Sequence, residues 1–386
     1  MIDFRSELDP LKKSEMFRYL RDYEPSGPVE GIIEGKPVIN FSSNDYLGFS
    51  HHPLVKRAAK DALERYGSGG TSSRLLSGNS TGYSELEEEL AELKGTEASL
   101  VFSSGYMTNI GVLNSISNRE DIIIADKFSH ASLIDSGLLS KAKFLRYRHL
   151  DLDHLERELK KSNGFNRRII ATDSVFSMDG DLAPLKDLSS LAFKYNAVLI
   201  VDDAHGTGVL DRPEAGSSAQ FDAGGIHFQI GTLSKALGSV GGFVAGKKEA
   251  MELLTNKART LIYTTALPPS AIAAAIASVK LLRDEPFWQK RLGDKVAYVR
   301  QKLVTSGFSV SNDPTPIIPI VLKAQDKTLR VSRDLLDNGF LALAIRPPSV
   351  PAGTSRIRIT ISAHHTHEQL DGFVKALGDS VNNDSD

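Results

Sequence analysis

The sequence predicts an α/β protein: a large domain with a mostly parallel seven-stranded sheet flanked by helices, and a smaller C-terminal α+β domain. Three observations predict this. Seven short apolar segments, "ASLVF", "DIIIAD", "KFLRYR", "RRIIATDSVF", "AVLIVDD", "FQIGT" and "GGFVAG", lie between residues 98 and 246. Their apolar character is continuous rather than alternating, as in strands buried on both faces. They alternate with helical stretches, which points to βαβ units and a largely parallel sheet. Beyond Gly246 the texture changes to long helices with few strands.

The elements follow in order. Residues 1–45 read as an amphipathic helix and a short extended arm, residues 46–270 as the large domain, and residues 271–386 as the small one. In "PLVKRAAKDALERYG", Leu54, Ala58, Ala62 and Tyr66 recur at helical spacing, with Pro53 opening the helix and Gly67 closing it. A glycine- and serine-rich loop leads to the helix "YSELEEELAELKG", with Leu86, Leu90 and Leu93 on one face and Gly95 as its stop. After the sheet, "LPPSAIAAAIASVKLLRDEPFWQKRLGDKVAYVRQKLVTSG" reads as two helices. The strands "IIPIVL" and "RIRITIS" flank the helix "RVSRDLLDNG", and "HEQLDGFVKALGDSV" is a final helix. The tail "NNDSD" is expected to fray.

Composition excludes several functions. The chain has 386 residues, 41% hydrophobic and 24% charged, with a net charge of -2. That balance gives no reason to expect nucleic acid or an anionic membrane as partner. There is no cysteine, so disulfides, thiolate nucleophiles and cysteine-based metal sites are ruled out. The opening residues lack a signal-peptide pattern and no run is long enough for a membrane span, which predicts a cytoplasmic protein. Three motifs fail on context. "GNSTG", around Ser80, matches a nucleophile elbow but follows loop-like residues rather than a strand. "GGFVAGKK" has Lys248 where a phosphate loop needs Ser or Thr. His364, His365 and His367 do not share one helix face, and they read as helix-entry residues rather than metal ligands.

One lysine stands out. Lys235, in "QIGTLSKALGS", follows an apolar strand and is surrounded by small residues. A lysine in an apolar pocket has a lowered pKa and forms an imine with an aldehyde. Alone, it reads as a surface lysine whose head reaches water. Four other stretches shift that reading. "AVLIVDDAHGTG" runs a buried strand into Asp202, Asp203 and His205. Pyridoxal phosphate needs a carboxylate against its ring nitrogen, and Asp202 is the candidate, with His205 in reach of the ring's phenolate oxygen; Asp203 fits a helix cap. "VFSSGYMTNIGVL" opens a helix at Gly105 or Tyr106, a seat for phosphate. His130 follows "DIIIAD" and offers a flat ring for stacking. Ser177 lies just past a strand, and Thr232 offers a hydroxyl for phosphate three residues before the lysine. Together they make a site for a lysine-bound, phosphate-bearing aldehyde cofactor.

At this point the sequence resembles the α-oxoamine synthases, pyridoxal-phosphate enzymes of the aspartate-aminotransferase fold type. The motifs "NFSSNDYLG", "SHASLID", "SVFSMDGDLAPL", "VDDAHGTGVL" and "GTLSKALG" carry the resemblance over nearly the whole chain. It implies that Lys235 holds the cofactor and later moves the α-proton, that Asp202 pairs with the pyridinium nitrogen, and that His130 stacks on the ring. His205 and Ser177 would approach the phenolate oxygen, and Gly105, Tyr106 and Thr232 would serve cofactor binding. Arg358 would bind the amino acid's carboxylate, with Arg356 on the same face as the open alternative. Arg18, Asn44 and Ser349 match substrate-side positions. The resemblance also implies a homodimer with a shared site, to which "LIYTTALPP" lends Thr264 or Thr265. The segment "AIRPPSVPAGTSRIRITISAHHT" is similar to that of the biotin-pathway member of the family. That member condenses L-alanine with pimeloyl-CoA or a pimeloyl carrier protein, and Arg18 or Arg346 would meet the pimeloyl tail's carboxylate. A glycine-using sister, such as 2-amino-3-ketobutyrate CoA ligase, is the alternative.

Overall fold

The computed structural model describes residues 3–13, 16–210 and 225–382; the last four residues of the tail expected to fray lie outside the described residues. The chain opens with α1 (Phe4–Lys13), which buries none of its residues. The extended arm then folds into β1 (Glu24–Pro25), β2 (Glu30–Ile33) and β3 (Lys36–Asn40). Two helices follow, α2 (Pro53–Tyr66) and α3 (Thr81–Lys94). Gly67 closes α2 at φ +86, a conformation that costs glycine little. Ser80 is the N-cap of α3, which therefore starts two residues before Tyr83. A π-helical turn over residues 74–78 precedes it rather than a strand, so Ser80 is not on a nucleophile elbow.

The main sheet is built from β4 (Ala98–Phe102), β5 (Ile122–Asp126), β6 (Lys143–Tyr147), β7 (Arg168–Asp173), β8 (Ala197–Asp202), β9 (Phe228–Thr232) and β10 (Gly242–Gly246). Between them run α4 (Gly105–Ile116), α5 (Ala131–Leu139), α6 (Leu152–Lys161) and α7 (Leu185–Lys194). The spatial order is β4-β10-β9-β8-β7-β5-β6. Strands β5 to β9 are mutually parallel, and β10 runs antiparallel to both β9 and β4. The carboxyl ends of β4, β5, β7, β8 and β9 therefore open on one edge, where ligands bind in open α/β sheets. Every residue of β5, β9 and β10 is buried, which accounts for their unbroken apolar character.

The remaining elements are α8 (Lys248–Lys257), α9 (Arg259–Ile262), α10 (Pro269–Asp284), α11 (Phe287–Thr305), β11 (Ile317–Lys323), α12 (Gln325–Asp337), β12 (Phe340–Leu341), β13 (Leu343–Ile345), β14 (Ser355–Thr360) and α13 (His367–Asn382). Strand β14 lies between β11 and β13 in an antiparallel sheet, while β12 pairs in parallel with β3. Helix α10 packs on α2 and α3. The segment after β3 is threaded between these parts. The Phe41 amide donates to the Leu341 carbonyl, the Thr360 amide to the Phe41 carbonyl and the Ala363 amide to the Tyr46 carbonyl, each at 2.8 Å. Phe41, Tyr46, Leu47 and Phe49 are fully buried there. His365 stacks on Phe41 at 4.3 Å and His364 on Trp288 at 5.1 Å. Among the described residues no group of His, Asp or Glu is arranged to hold a metal ion, and no helix is long and apolar enough to cross a membrane.

A buried ion pair braces the site's edge from behind. Lys94, at the end of α3, donates to Asp203 Oδ2 at 2.6 Å, with both side chains fully buried. It also donates to Thr207 Oγ1 at 2.8 Å, and Ser174 Oγ donates to Asp203 Oδ1 at 2.5 Å. Removing one partner leaves an uncompensated buried charge, a loss of about 3–5 kcal/mol. Lys94→Met is expected to lower the urea-unfolding free energy by about that amount, whereas exposed Lys36→Met, beside the surface pair with Asp337, changes it by less than about 1 kcal/mol.

Candidate active site

Lys235 sits in a tight turn between β9 and β10. The Gly238 amide donates to the Lys235 carbonyl and the Ser239 amide to the Leu233 carbonyl. At Gly238, φ is +58 and a Cβ would fall 2.3 Å from the Ser50 amide nitrogen. Backbone is pressed against backbone at this point, which explains the small residues around the lysine. The amine faces inward: Lys235 Nζ lies 2.8 Å from His205 Nε2. The other ring nitrogen, His205 Nδ1, is 2.6 Å from the Tyr46 hydroxyl, which donates to Asn44 Oδ1 at 3.2 Å. One proton arrangement satisfies the whole chain. Lys235 donates to Nε2, the Nδ1 proton goes to Tyr46, and Tyr46 donates to Asn44. It requires a neutral His205. Burial, then the nearby Lys235 and Arg358 charges, hold that imidazole well below its ordinary pKa.

Asp202 ends β8 and is buried. Its Oδ2 accepts from Asn109 Nδ2 at 2.6 Å and its Oδ1 from the Ala204 amide at 3.0 Å. Asn109 lies one helical turn past Gly105 and also donates to Ser132 Oγ at 2.8 Å. Ser132 in turn meets His130 Nδ1 at 2.7 Å. The Ser132 amide donates to the same nitrogen at 3.3 Å, which makes Nδ1 an acceptor and places the neutral ring's proton on Nε2. Burial lowers the His130 pKa, against the opposing charge of Asp202. The His130 amide is held by Asp173 Oδ2 at 3.0 Å. Burial first, and then the charge of Asp202, push Asp173 well above the usual carboxylate range.

The start of α4 supplies a seat for an anion. Ser104 Oγ caps the Met107 amide at 3.2 Å, and the other first-turn amides have no acceptor within the helix. Gly105 lies against Thr232: a Cβ on it would sit 3.6 Å from that residue's Cβ. The Thr232 hydroxyl donates to the Gly241 carbonyl at 2.9 Å, so its proton is taken up within the turn. Tyr106 is exposed and its hydroxyl donates to Asp135 on α5. Thr265 forms a backbone bridge with Ser73, and Thr264 is half-buried beside it.

The two arginines of β14 have different partners. Arg356 forms an ion pair with Asp179 and donates to the Thr354 carbonyl at 3.0 Å. Arg358 donates to the Ser177 carbonyl and to Asn44 Oδ1 at 3.3 Å, and has no carboxylate partner among the described residues. Ser177 is therefore present through its carbonyl. Arg18 donates to Ser349 Oγ at 3.2 Å on the exposed side, and Arg346 Nη2 donates to the Phe17 carbonyl at 2.9 Å. The structure thus brings Lys235, Asp202, His130, His205, Asn44, Ser177 and Arg358 into one linked group of side chains and adds Tyr46, Asn109, Ser132 and Asp173. The additions are spread over four segments: Tyr46 lies in "NFSSNDYLG", Asn109 in "VFSSGYMTNIGVL", Ser132 in "SHASLID" and Asp173 in "RRIIATDSVF", but nothing in the sequence marked these four residues within them.

Burial lowers the Lys235 pKa to about 8, Arg358 adds to the lowering, and Asp202 and Asp173 oppose it. Its folded value lies below the ordinary 10.5, so the charged form is penalised in the folded state. That penalty is fully present below about pH 8 and is lifted as pH rises from about 8 to 10.5. In the cofactor-free chain, labelling of Lys235 by trinitrobenzenesulfonate is expected to accelerate about tenfold per pH unit and level off near pH 8, as followed by peptide mass spectrometry. A plateau near 10.5 would show an unperturbed amine.

Residues 36–377 match the family model described as aminotransferase class I and II. An 8-amino-7-oxononanoate synthase of Methylococcus capsulatus is 45% identical over 381 residues, covering 98% of each chain. A serine palmitoyltransferase structure from S. paucimobilis with a bound PLP–myriocin aldimine has a TM-score of 0.93 at 31% identity, covering 98% of this chain and 97% of the other. The crystal structure of 8-amino-7-oxononanoate synthase from Francisella tularensis has a TM-score of 0.78 at 28% identity, covering 90% of this chain and 98% of the other. With the lysine, acid and histidine groups gathered on one sheet edge, the chain belongs to the class I and II aminotransferase family, within its α-oxoamine synthases.

Proposed function

We propose that this chain condenses L-alanine with a pimeloyl thioester and releases CO2 and the thiol carrier, giving 8-amino-7-oxononanoate for biotin synthesis. The observation that carries the reading is the amine of Lys235, with its lowered pKa, held beside Asp202, His130 and His205 in a chain similar to synthases of this name. The residues fit pyridoxal phosphate. Lys235 offers an imine-forming amine, Asp202 a fixed carboxylate for the pyridinium nitrogen, and His130 a ring for stacking. The first turn of α4, with Gly105 and Tyr106, offers amides to the phosphate, and His205 and Ser177 flank the phenolate side. When bound, the cofactor supplies an aldehyde for the amino group and an electron-accepting ring for the charge left at the α-carbon.

The chain's own residues do the rest. Arg358, with no acid partner among the described residues, receives the alanine carboxylate, helped by Asn44. Lys235, neutral in a sizeable fraction near pH 8, takes the α-proton. The α-carbon then bonds to the thioester carbonyl, the C–S bond breaks and the thiol leaves. The original carboxylate departs as CO2, and Lys235 returns a proton to the same carbon. Asn109 keeps Asp202 oriented throughout. The pimeloyl tail ends in a second carboxylate. Arg346 suits it, because its Nη1 is buried without a hydrogen-bond partner, in a cleft shared with Arg18 and Ser349. The same reading carries a cytoplasmic homodimer, with Thr264 or Thr265 serving the neighbouring subunit's phosphate.

The deciding measurement is the visible spectrum of the cofactor-loaded protein during titration with L-alanine, glycine and pimeloyl-CoA. A response to L-alanine well below the glycine concentration needed, with product formed on adding the thioester, is expected; preference for glycine would overturn the assignment in favour of a sister activity. Lys235→Ala is expected to keep the wild-type far-UV circular dichroism and lose kcat about a thousandfold or more. Arg346→Ala is expected to raise KM for pimeloyl-CoA about tenfold while leaving KM for heptanoyl-CoA, which lacks the second carboxylate, within about twofold.

A further inference from the structure

His149 has no part in the reaction above, yet it occupies a place that a neutral histidine would fill badly. It lies two residues past β6, with its side chain 18% exposed. Its Nδ1 is 2.8 Å from Oδ1 of Asp126, the last residue of β5, and its Nε2 is 2.8 Å from Oδ2 of Asp181, on the turn that follows β7. A neutral imidazole has one N–H, so one of these contacts would set a nitrogen lone pair against a carboxylate oxygen; only the imidazolium donates to both. Phe128 stacks on the ring at 4.6 Å and Phe176 meets it edge-on at 4.5 Å, which fixes its plane. Burial opposes the charge, but the hydrogen bonds to Asp126 and Asp181, and the charges of both, outweigh it and raise the pKa to about 9. The other titratable groups on the elements around the ring are accounted for. Tyr147 on β6 stays neutral, its pKa pushed up by burial and then by Asp126. Arg148 pairs with Asp151, His154 with Glu158 and Asp179 with Arg356, while Lys127 is exposed.

The two acids depend on His149 unequally. Asp126 also accepts from the Phe128 amide at 2.8 Å and the Leu150 amide at 2.9 Å. Asp181 has no such reserve, because its Oδ1 is buried without a hydrogen-bond partner among the described residues. Asp181 closes a tight loop: the Phe176 amide donates to its carbonyl at 3.0 Å, and the Gly180 amide donates to the Phe176 carbonyl at 2.8 Å. The same loop faces β14, where the Ser177 carbonyl accepts from Arg358 and Asp179 pairs with Arg356. An uncharged ring at position 149 would leave the Asp181 carboxylate without its cation, and turning that carboxylate out to water would carry the loop with it. On the reading that Arg358 receives the alanine carboxylate, we propose that His149 is a positioning residue for the amino-acid substrate: by bridging Asp126 and Asp181 it clamps residues 176–181 to the main sheet, so that the Ser177 carbonyl holds the Arg358 guanidinium in place. The clamp is closed while the ring is protonated, below about pH 9, and opens as pH rises through that value.

The test compares cofactor-loaded wild type with His149→Gln and with Asp181→Asn, which keeps the ring but removes one of its counter-charges. Kd values for L-alanine, and for ethylamine, which has the amino group but no carboxylate, are read from the visible spectrum across the alkaline range. Near neutral pH, His149→Gln is expected to bind L-alanine about tenfold more weakly and ethylamine within about twofold of wild type. The ratio of variant to wild-type Kd for L-alanine is expected to fall toward one above about pH 9, where the wild type loses the same charge. Titration of the amino acid and of Lys235 is common to both proteins and cancels in that ratio. Asp181→Asn is expected to show a smaller loss in the same direction, so the test does not depend on His149→Gln folding. Histidine NMR of the wild type is expected to show an imidazole titrating near pH 9 whose pKa falls in Asp181→Asn. A Kd ratio that stays constant with pH, an equal loss for ethylamine, or no imidazole titrating above the ordinary 6.5 would overturn the inference. A wild-type spectrum that does not respond to L-alanine would instead count against the reaction, and the histidine titration would then decide the clamp on its own.

Discussion

The site depends on the cost of holding the Lys235 amine, the Arg358 guanidinium and the His205 imidazole together away from bulk water. The structure meets that cost by keeping His205 neutral and by lowering the proton affinity of Lys235. His205 stays neutral and relays hydrogen bonds between Lys235 and Tyr46. Lys235 has its pKa brought down to about 8. On the acidic side the logic is mirrored. Asp173 and Asp202 end adjacent strands, paired in register, and two carboxylates in one enclosed space do not both ionise cheaply. Asp173 is pushed toward its protonated form, while Asp202 has the Asn109 amide and the Ala204 amide to stabilise its charge. One carboxylate and one guanidinium are left as the dominant fixed charges acting on the amine.

Holding this arrangement requires rigid backing, and most of it comes from residues outside the pocket. Asp203 points away from the pocket into the Lys94, Ser174 and Thr207 network, and its amide donates to the Ile230 carbonyl at 2.7 Å. The turn that carries His205 is thereby fastened to β7, β9 and α3. On the opposite side, the strands of the N-terminal arm join β12, and the chain between Phe41 and Phe49 runs from there to the site, half-buried at Ser42 to Asp45 and buried from Tyr46, bringing Asn44 and Tyr46 to Arg358 and His205. A single segment thus couples the α+β part to the main sheet and supplies two site residues.

The strands, their parallel sheet and the chemical residues at the strand ends were legible because burial on both faces leaves unbroken apolar runs, and an Asp, His or Lys at the end of such a run is conspicuous. The backing residues were not legible, for a physical reason in each case. Lys94 at a helix C-terminus has the sequence signature of a solvated cation favoured by the helix dipole, yet its side chain is fully buried. Asn109 reads as an ordinary polar helix residue; only tertiary packing shows that one turn from Gly105 it faces Asp202. The arm before Asn40 was legible as extended, but its pairing with β12 joins residues about 300 positions apart, which no local pattern encodes.

Between Arg356 and Arg358, which spacing leaves open, partner chemistry favours Arg358. Alternation along β14 gives both side chains the same face, and both are buried. Asp179 already neutralises Arg356, so a substrate carboxylate there would displace an existing ion pair. Among the described residues Arg358 contacts only neutral acceptors, so a carboxylate arriving at it gains a charge partner without breaking one. Its arrival would also act at a distance. The Arg358 charge contributes to lowering the pKa values of both Lys235 and His205. A bound carboxylate offsets that charge, so the amine becomes more basic as the amino acid settles into place. On the proposed reaction, the group that takes a proton from the α-carbon is already partly neutral near pH 8 and gains proton affinity when the substrate's carboxylate is held, and the link between the two is Arg358.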